Sequence, residues 1–144
     1  MRYGMVACVV VVGVLGGCAG ATEPTVEAAA DVRIEGPAEL VLAVGEERPV
    51  GGSALRVRLA GILEDSRCPT DVTCVWAGNV RVALGLSTGA GSTTPVQLNT
   101  ALEPRIAEWH GVRFTVVEVR PDPVSTDPIA TDEYRVTVRV EQAP

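Results

Sequence analysis

Asp65-Ser66-Arg67-Cys68-Pro69-Thr70-Asp71-Val72-Thr73-Cys74-Val75-Trp76-Ala77-Gly78 holds two of the four cysteines, one of the two tryptophans and a dense group of charged and turn-forming residues. Alternating apolar runs lead into it and out of it. Leu55, Val57 and Leu59 alternate with Arg56 and Arg58 before it, and Val80, Val82, Leu84 and Leu86 alternate with other residues after it. A period of two places successive side chains on opposite faces of a strand. The stretch therefore reads as a loop, closed by a Cys68–Cys74 disulfide, that pins two strands of a small β domain. Pro69 and Asp71 favour a turn between the sulfurs. Closing so short a loop removes only about 2 kcal/mol of unfolded-chain entropy, so its main effect is local.

Working outward, the same period recurs. Val32 and Ile34 precede the Gly36-Pro37 turn, and Leu40, Leu42 and Val44 follow it. Gly61 marks a bulge before Ile62-Leu63. Thr88 to Thr94 reads as a hairpin connection leading to Val96 and Leu98. Ala101 to His110 is irregular, and Pro104 excludes a strand centre there. Val112, Phe114 and Val116 alternate, after which the phase shifts and sets Val117 and Val119 on one side. Pro121-Asp122-Pro123 ends that run, and Ser125 to Thr131 reads as loop. Tyr134, Val136, Val138 and Val140 form the cleanest alternation of all. About seven short strands without a long helical pattern predict an all-β domain over 32–142, a single antiparallel sandwich or small barrel. The 144 residues suffice for one such domain. Aromatics are scarce, so its core must be built from Val, Leu and Ala.

The N-terminus predicts the compartment. Met1 to Gly4 carries an amine and Arg2, and Met5 to Leu15 is apolar apart from glycine, as in a secretory signal. That run is too short to span a bilayer, which takes about 20 apolar residues. Leu15-Gly16-Gly17-Cys18 matches a lipobox: an aliphatic residue, two small residues that let an extended backbone enter a peptidase, and a thiol able to carry a diacylglyceryl thioether. The expectation is a lipoprotein signal peptide over 1–17, lipidation at Cys18 with a further acyl chain such as palmitate on the new amine, and a flexible tether over 18–31. Two or more chains anchor stably. Cys8 falls in the discarded part. Localisation to the cell envelope follows, on the outer face of the cytoplasmic membrane or on the outer membrane.

Within the cysteine loop, Asp65, Arg67 and Trp76 form a possible binding loop with Trp76 as an aromatic anchor. The competing structural reading has Asp65 accepting backbone N–H bonds, Arg67 pairing with a carboxylate and Trp76 plugging the core beneath the disulfide. The residues favour the structural reading. A metal site is the alternative for the sulfurs: soft thiolates at Cys68 and Cys74 with His110 would suit copper or zinc, although the spacing is not that of a zinc knuckle.

The run D-S-R-C-P…C-V-W-A-G-N-V resembles a group of uncharacterised bacterial lipoproteins with a D-S-R-C-P…C-x-W-A-G centre. Gln97-Leu98-Asn99-Thr100, Val119-Arg120-Pro121-Asp122-Pro123 and Tyr134-Arg135-Val136-Thr137-Val138 are similar to later pieces of that group. Asp122 departs from the aromatic usual between the two prolines. The resemblance implies a lipobox followed by a β-rich domain and brings no activity. A net charge of −6 argues against a nucleic-acid partner. The single His has no serine elbow nearby, and Glu46-Glu47 and Asp132-Glu133 are adjacent pairs whose strand geometry would point them apart. No cofactor is implied. The expected function is a non-catalytic binding or structural module, anchored to the membrane by lipid, with an envelope protein as candidate partner. Periplasmic copper handling through Cys68, Cys74 and His110 is the alternative.

Overall fold

The computed structural model describes residues 32–89, 91–125 and 127–144. The expected signal peptide with Cys8, the expected lipidation site at Cys18 and the expected tether lie outside the described residues.

Eight strands form two antiparallel four-stranded sheets packed as a sandwich rather than closed into a barrel. They are β1 (Ala38–Ala43), β2 (Glu47–Pro49), β3 (Leu55–Asp65), β4 (Val80–Thr88), β5 (Thr94–Asn99), β6 (Ile106–Trp109), β7 (Val112–Arg120) and β8 (Arg135–Gln142). One sheet has the order β1-β8-β7-β6 and the other β2-β3-β4-β5. A single 3-10 turn, Thr131–Glu133, leads into β8.

The alternation read from the sequence is the alternation of burial. Leu55, Val57 and Leu59 of β3 are fully buried, as are Val80, Val82 and Leu86 of β4 and Val136, Val138 and Val140 of β8. Phe114 is the largest fully buried side chain. Each such Val or Leu contributes about 1.5–3 kcal/mol relative to exposure, so the facing valine rows supply most of the driving force. The bulge at Gly61 is present as a register shift between Leu59 and Gly61 in the β3–β4 pair. A second shift lies between Val116 and Glu118 in the β7–β8 pair. It returns Val119 to the core and leaves Val117 exposed, so these two residues do not share a side as their spacing suggested.

Other expectations need correction. Val32 to Pro37 forms no strand. Its backbone is held singly, by Val32 N–H donating to the His110 carbonyl at 3.0 Å and Ile34 N–H to Gln142 Oε1 at 3.3 Å. β2 and β6 are strands that the sequence did not announce. Each is short, and β2 is exposed along its whole length, so neither carries a strong apolar period.

Strict antiparallel alternation sorts the connections. The β1–β2, β3–β4, β5–β6 and β7–β8 connections lie at one end of the sandwich. The β2–β3, β4–β5 and β6–β7 turns lie at the other, together with Val32 and the C-terminus: Ala143 N–H donates to the Gly111 carbonyl at 2.8 Å. The nine-residue β7 separates the two ends by roughly 27 Å at about 3.3 Å per residue.

Candidate functional site

The cysteine loop prolongs the β3–β4 hairpin. The last ladder pair is Asp65–Val80. Ser66 N–H then donates to the Asn79 carbonyl at 2.8 Å, and Cys68 N–H to the Ala77 carbonyl at 3.1 Å. Gly78 is where the two arms press together. Its φ is +82°, and a Cβ there would lie 2.0 Å from the Ser66 carbonyl oxygen and 2.6 Å from the Arg67 Cα. Only glycine meets both demands. Beyond this crossing Cys68 and Cys74 are joined in a disulfide with a Cα–Cα separation of 5.9 Å.

Arg67 reaches from this loop across to the other sheet. Its Nε donates to Asp65 Oδ1 at 2.9 Å and its Nη2 to Asp65 Oδ2 at 2.6 Å, the forked geometry that suits guanidinium and carboxylate. The remaining donors go to the end of β7: Nη1 to the Val119 carbonyl at 2.7 Å and Nη2 to the Pro121 carbonyl at 2.9 Å. Asp65 is equally occupied. Oδ1 also accepts the Arg67 backbone N–H at 3.2 Å, and Oδ2 accepts the Tyr134 hydroxyl at 3.0 Å. Four donors fill the carboxylate's acceptor positions, so no lone pair is left for a base or a ligand. Both side chains are largely buried, with exposures of 15% for Arg67 and 13% for Asp65. Burial pushes the Asp65 carboxyl up, but the bonds from the Arg67 side chain and backbone and from Tyr134 outweigh it and hold it below its ordinary value. Burial likewise raises the Tyr134 hydroxyl, and its bond to Asp65 raises it further.

Two further contacts brace the loop. Thr70 N–H donates to the Pro123 carbonyl at 2.9 Å. Asp71 accepts the Ser125 backbone N–H at 2.6 Å through Oδ1 and the Ser125 hydroxyl through Oδ2. Those hydroxyl and backbone bonds lower the Asp71 carboxyl from its ordinary value. Between the cysteine loop and the β7–β8 connection lies an open cleft of about 300 Å³, walled by Arg67, Pro69, Pro123, Ile129 and Tyr134 among others.

The structural reading of Asp65 and Arg67 thus holds, with Asp65 itself as the carboxylate that Arg67 pairs. For Trp76 it does not. Trp76 is 52% exposed, beside a fully exposed Val75 and a half-exposed Val72, and it plugs no core. The bracing contacts tie the base of the loop to the end of β7 and the β7–β8 connection, and its apolar tip faces solvent.

The proposed ligand set of Cys68, Cys74 and His110 is not brought together. The two sulfurs are bonded to each other, and His110 sits in the β6–β7 turn at the far end of β7. Its φ of 50° beside Gly111 at 73° makes a two-residue hairpin turn, with its ring edge-on to Trp109 at 4.1 Å between centroids.

Sequence reading missed the amide pair beside the loop. Asn79 and Asn99 stand on faces that the alternation assigned to solvent, yet both are buried. Asn79 Nδ2 donates to Asn99 Oδ1 at 2.9 Å, while Asn79 Oδ1 accepts the backbone N–H groups of Ala101 and Leu102. Asn99 Nδ2 donates to the Glu103 carbonyl at 3.2 Å. Short amides at the end of adjoining strands, next to a proline-containing connection, are the signal that was available. Tyr134, Asp71 and Ser125 were also missed as site residues. Asp65 to Asn79, Asn99-Thr100, Pro121 and Tyr134 all converge on this one end.

Comparison of the chain with known protein families, curated proteins and solved structures finds no match.

Proposed function

We propose that the protein is a lipid-anchored domain of the cell envelope, non-catalytic, that binds another molecule through its cysteine-loop end. The observation that carries the reading is the contrast within one loop. Its base is fixed by a disulfide, a largely buried ion pair and bonds to the end of β7 and to the β7–β8 connection, while its tip displays Val72, Val75 and Trp76 to solvent. A rigid support with an aromatic tip is the arrangement that lets binding proceed without a large ordering cost. The lipobox at Leu15-Gly16-Gly17-Cys18 supports the anchor, and the two-cysteine bridge suits an oxidising compartment.

The test uses the full-length chain exported in a bacterial host. The N-terminal peptide of the mature protein should carry diacylglyceryl on Cys18, and Cys18→Ala should leave the membrane fraction while keeping its fold. On a native gel the wild-type protein should run in a complex larger than the processed monomer, itself smaller than the 15.0 kDa of the full 144-residue chain. The Val75→Ser/Trp76→Ser variant should collapse to monomer. A wild-type monomer under all conditions would favour a purely structural lipoprotein instead.

A further inference from the structure

The binding reading does not say which way the domain faces or what chemistry its partner carries, and the distribution of apolar and charged residues does. Among the described residues, nine large apolar side chains are exposed, and six of them sit in or within one residue of the connections at the cysteine-loop end: Val72, Val75, Trp76, Leu102, Ile106 and Val124. Charge is divided just as unevenly. The segments 44–46, 63–81, 100–106 and 120–135, which make up this end, hold nine carboxylates and five guanidiniums. The segments 32–37, 48–56, 87–95, 107–113 and 140–144, at the opposite end, hold three carboxylates and four guanidiniums. The chain enters the domain at that opposite end, where Val32 is bonded to His110. Bacterial bilayers are anionic, so the near-neutral end that receives the tether is the end electrostatically suited to face the lipid. The acidic end with the apolar tip then points away, roughly 27 Å further out along β7.

Resting on the lipid-anchored binding reading, we propose that the cysteine-loop end is the docking surface for a protein partner that presents an apolar patch rimmed by Arg or Lys. The apolar tip supplies the desolvated centre, and the surrounding carboxylates select a basic rim and exclude both anionic lipid and a second copy of this equally acidic end. The internal salt bridge of Asp65 and Arg67 takes no part in the contact, since Asp65 already accepts four bonds and the Arg67 side chain donates four and faces Asp122 at 3.8 Å.

Site-directed photocrosslinking on the full-length exported chain tests this. Benzoylphenylalanine replaces Val75 or Trp76, and in control strains it replaces Val41 or Val117, which are exposed on the outer faces of β1 and β7. The expected result is one discrete protein adduct from positions 75 and 76 and none from 41 and 117. The crosslinked surface of the partner, identified by peptide sequencing, should carry clustered Arg or Lys. The adduct should fall severalfold in the Glu103→Arg/Asp127→Arg variant and with added salt, and stay unchanged in Glu35→Arg. Adducts chiefly from 41 or 117 would overturn this surface and, with it, the assignment of binding to the cysteine-loop end. An adduct with the mass of a phospholipid would assign the tip to the membrane, and an adduct with a second copy would assign it to self-association; either overturns the proposal. An adduct indifferent to the charge reversals would overturn the basic rim. No adduct from any position would overturn the proposal and the binding reading together.

Discussion

The two ends of this sandwich solve the same problem, reversing the chain between strands, in opposite ways. At the end that receives the N-terminus the reversals are short and local. His110-Gly111 turns β6 into β7 in two residues, and Arg113 there is paired to a half-exposed Glu108 across the same hairpin at 2.9 Å, with its own side chain 28% exposed. At the other end three of the four connections are longer and hold one another. Arg67 joins the β3–β4 loop to the end of β7, Asp71 joins it to Ser125, and Asn79 joins it to the β5–β6 connection. A hairpin that closes on itself needs only turn residues. A long loop keeps one shape only if buried polar groups from elsewhere fix it, and that expenditure is made at one end alone.

Substitutions at matched positions measure the contrast. Arg67→Ala should cost about 3–5 kcal/mol in urea denaturation, because it strands a mostly buried carboxylate. Arg113→Ala should cost less than about 1 kcal/mol, as expected of an exposed pair. Equal losses would erase the distinction. The pH dependence has a definite sign. Asp65 is held below its unfolded value, so its contribution is complete above the ordinary carboxylate range, about 3.9, and is lost as pH falls through the lowered folded value. Asp65→Asn should flatten that acid limb of the stability curve.

Gly78→Ala should cost roughly 3 kcal/mol, combining a left-handed φ with contact against the Ser66 and Arg67 backbone. Gly89→Ala, at a φ of 63° with open space around it, should cost about 1 kcal/mol. Thermal melts of the two variants side by side would sharpen the comparison. Replacing both Cys68 and Cys74 by Ser should cost about 2 kcal/mol, less than Arg67→Ala, since the covalent loop is short and the guanidinium spans two sheets. The reverse order would make the disulfide the principal brace. Smallest of all, Trp76→Ser should change stability by within about 0.5 kcal/mol while abolishing the native-gel complex. A large loss of stability would mean that the indole belongs to the fold.

Much of the architecture was legible because one face of most strands is buried and the sequence alternates accordingly. Six of the seven alternating runs became strands, and Gly61 announced its bulge. The run at Val32 and Ile34 shows the limit: alternation states which residues want burial, not whether a neighbouring strand is present to pair with. β6 failed the other way, since Ile106 and Glu108 both face solvent and leave no period to read. In the site, the disulfide was legible because its partners are six residues apart. The carbonyls that receive Arg67 are 52 and 54 residues away, and nothing in their sequence marks a backbone acceptor. Trp76 was misjudged because apolarity alone predicts burial, whereas its position was set by polar contacts at the loop's base.

The reach of Arg67 also fixes an order of events during folding. A chain that has emerged only as far as β4 already contains both sulfurs, so the small ring can be oxidised early. The guanidinium's carbonyl acceptors at Val119 and Pro121 have not yet arrived, so the ring stays free to swivel about its stem. Only a molecule whose β7 has been laid down can make these bonds from Arg67 and brace the loop's base. The loop therefore reports completion: an unfinished copy carries the same residues but does not display them as a fixed shape.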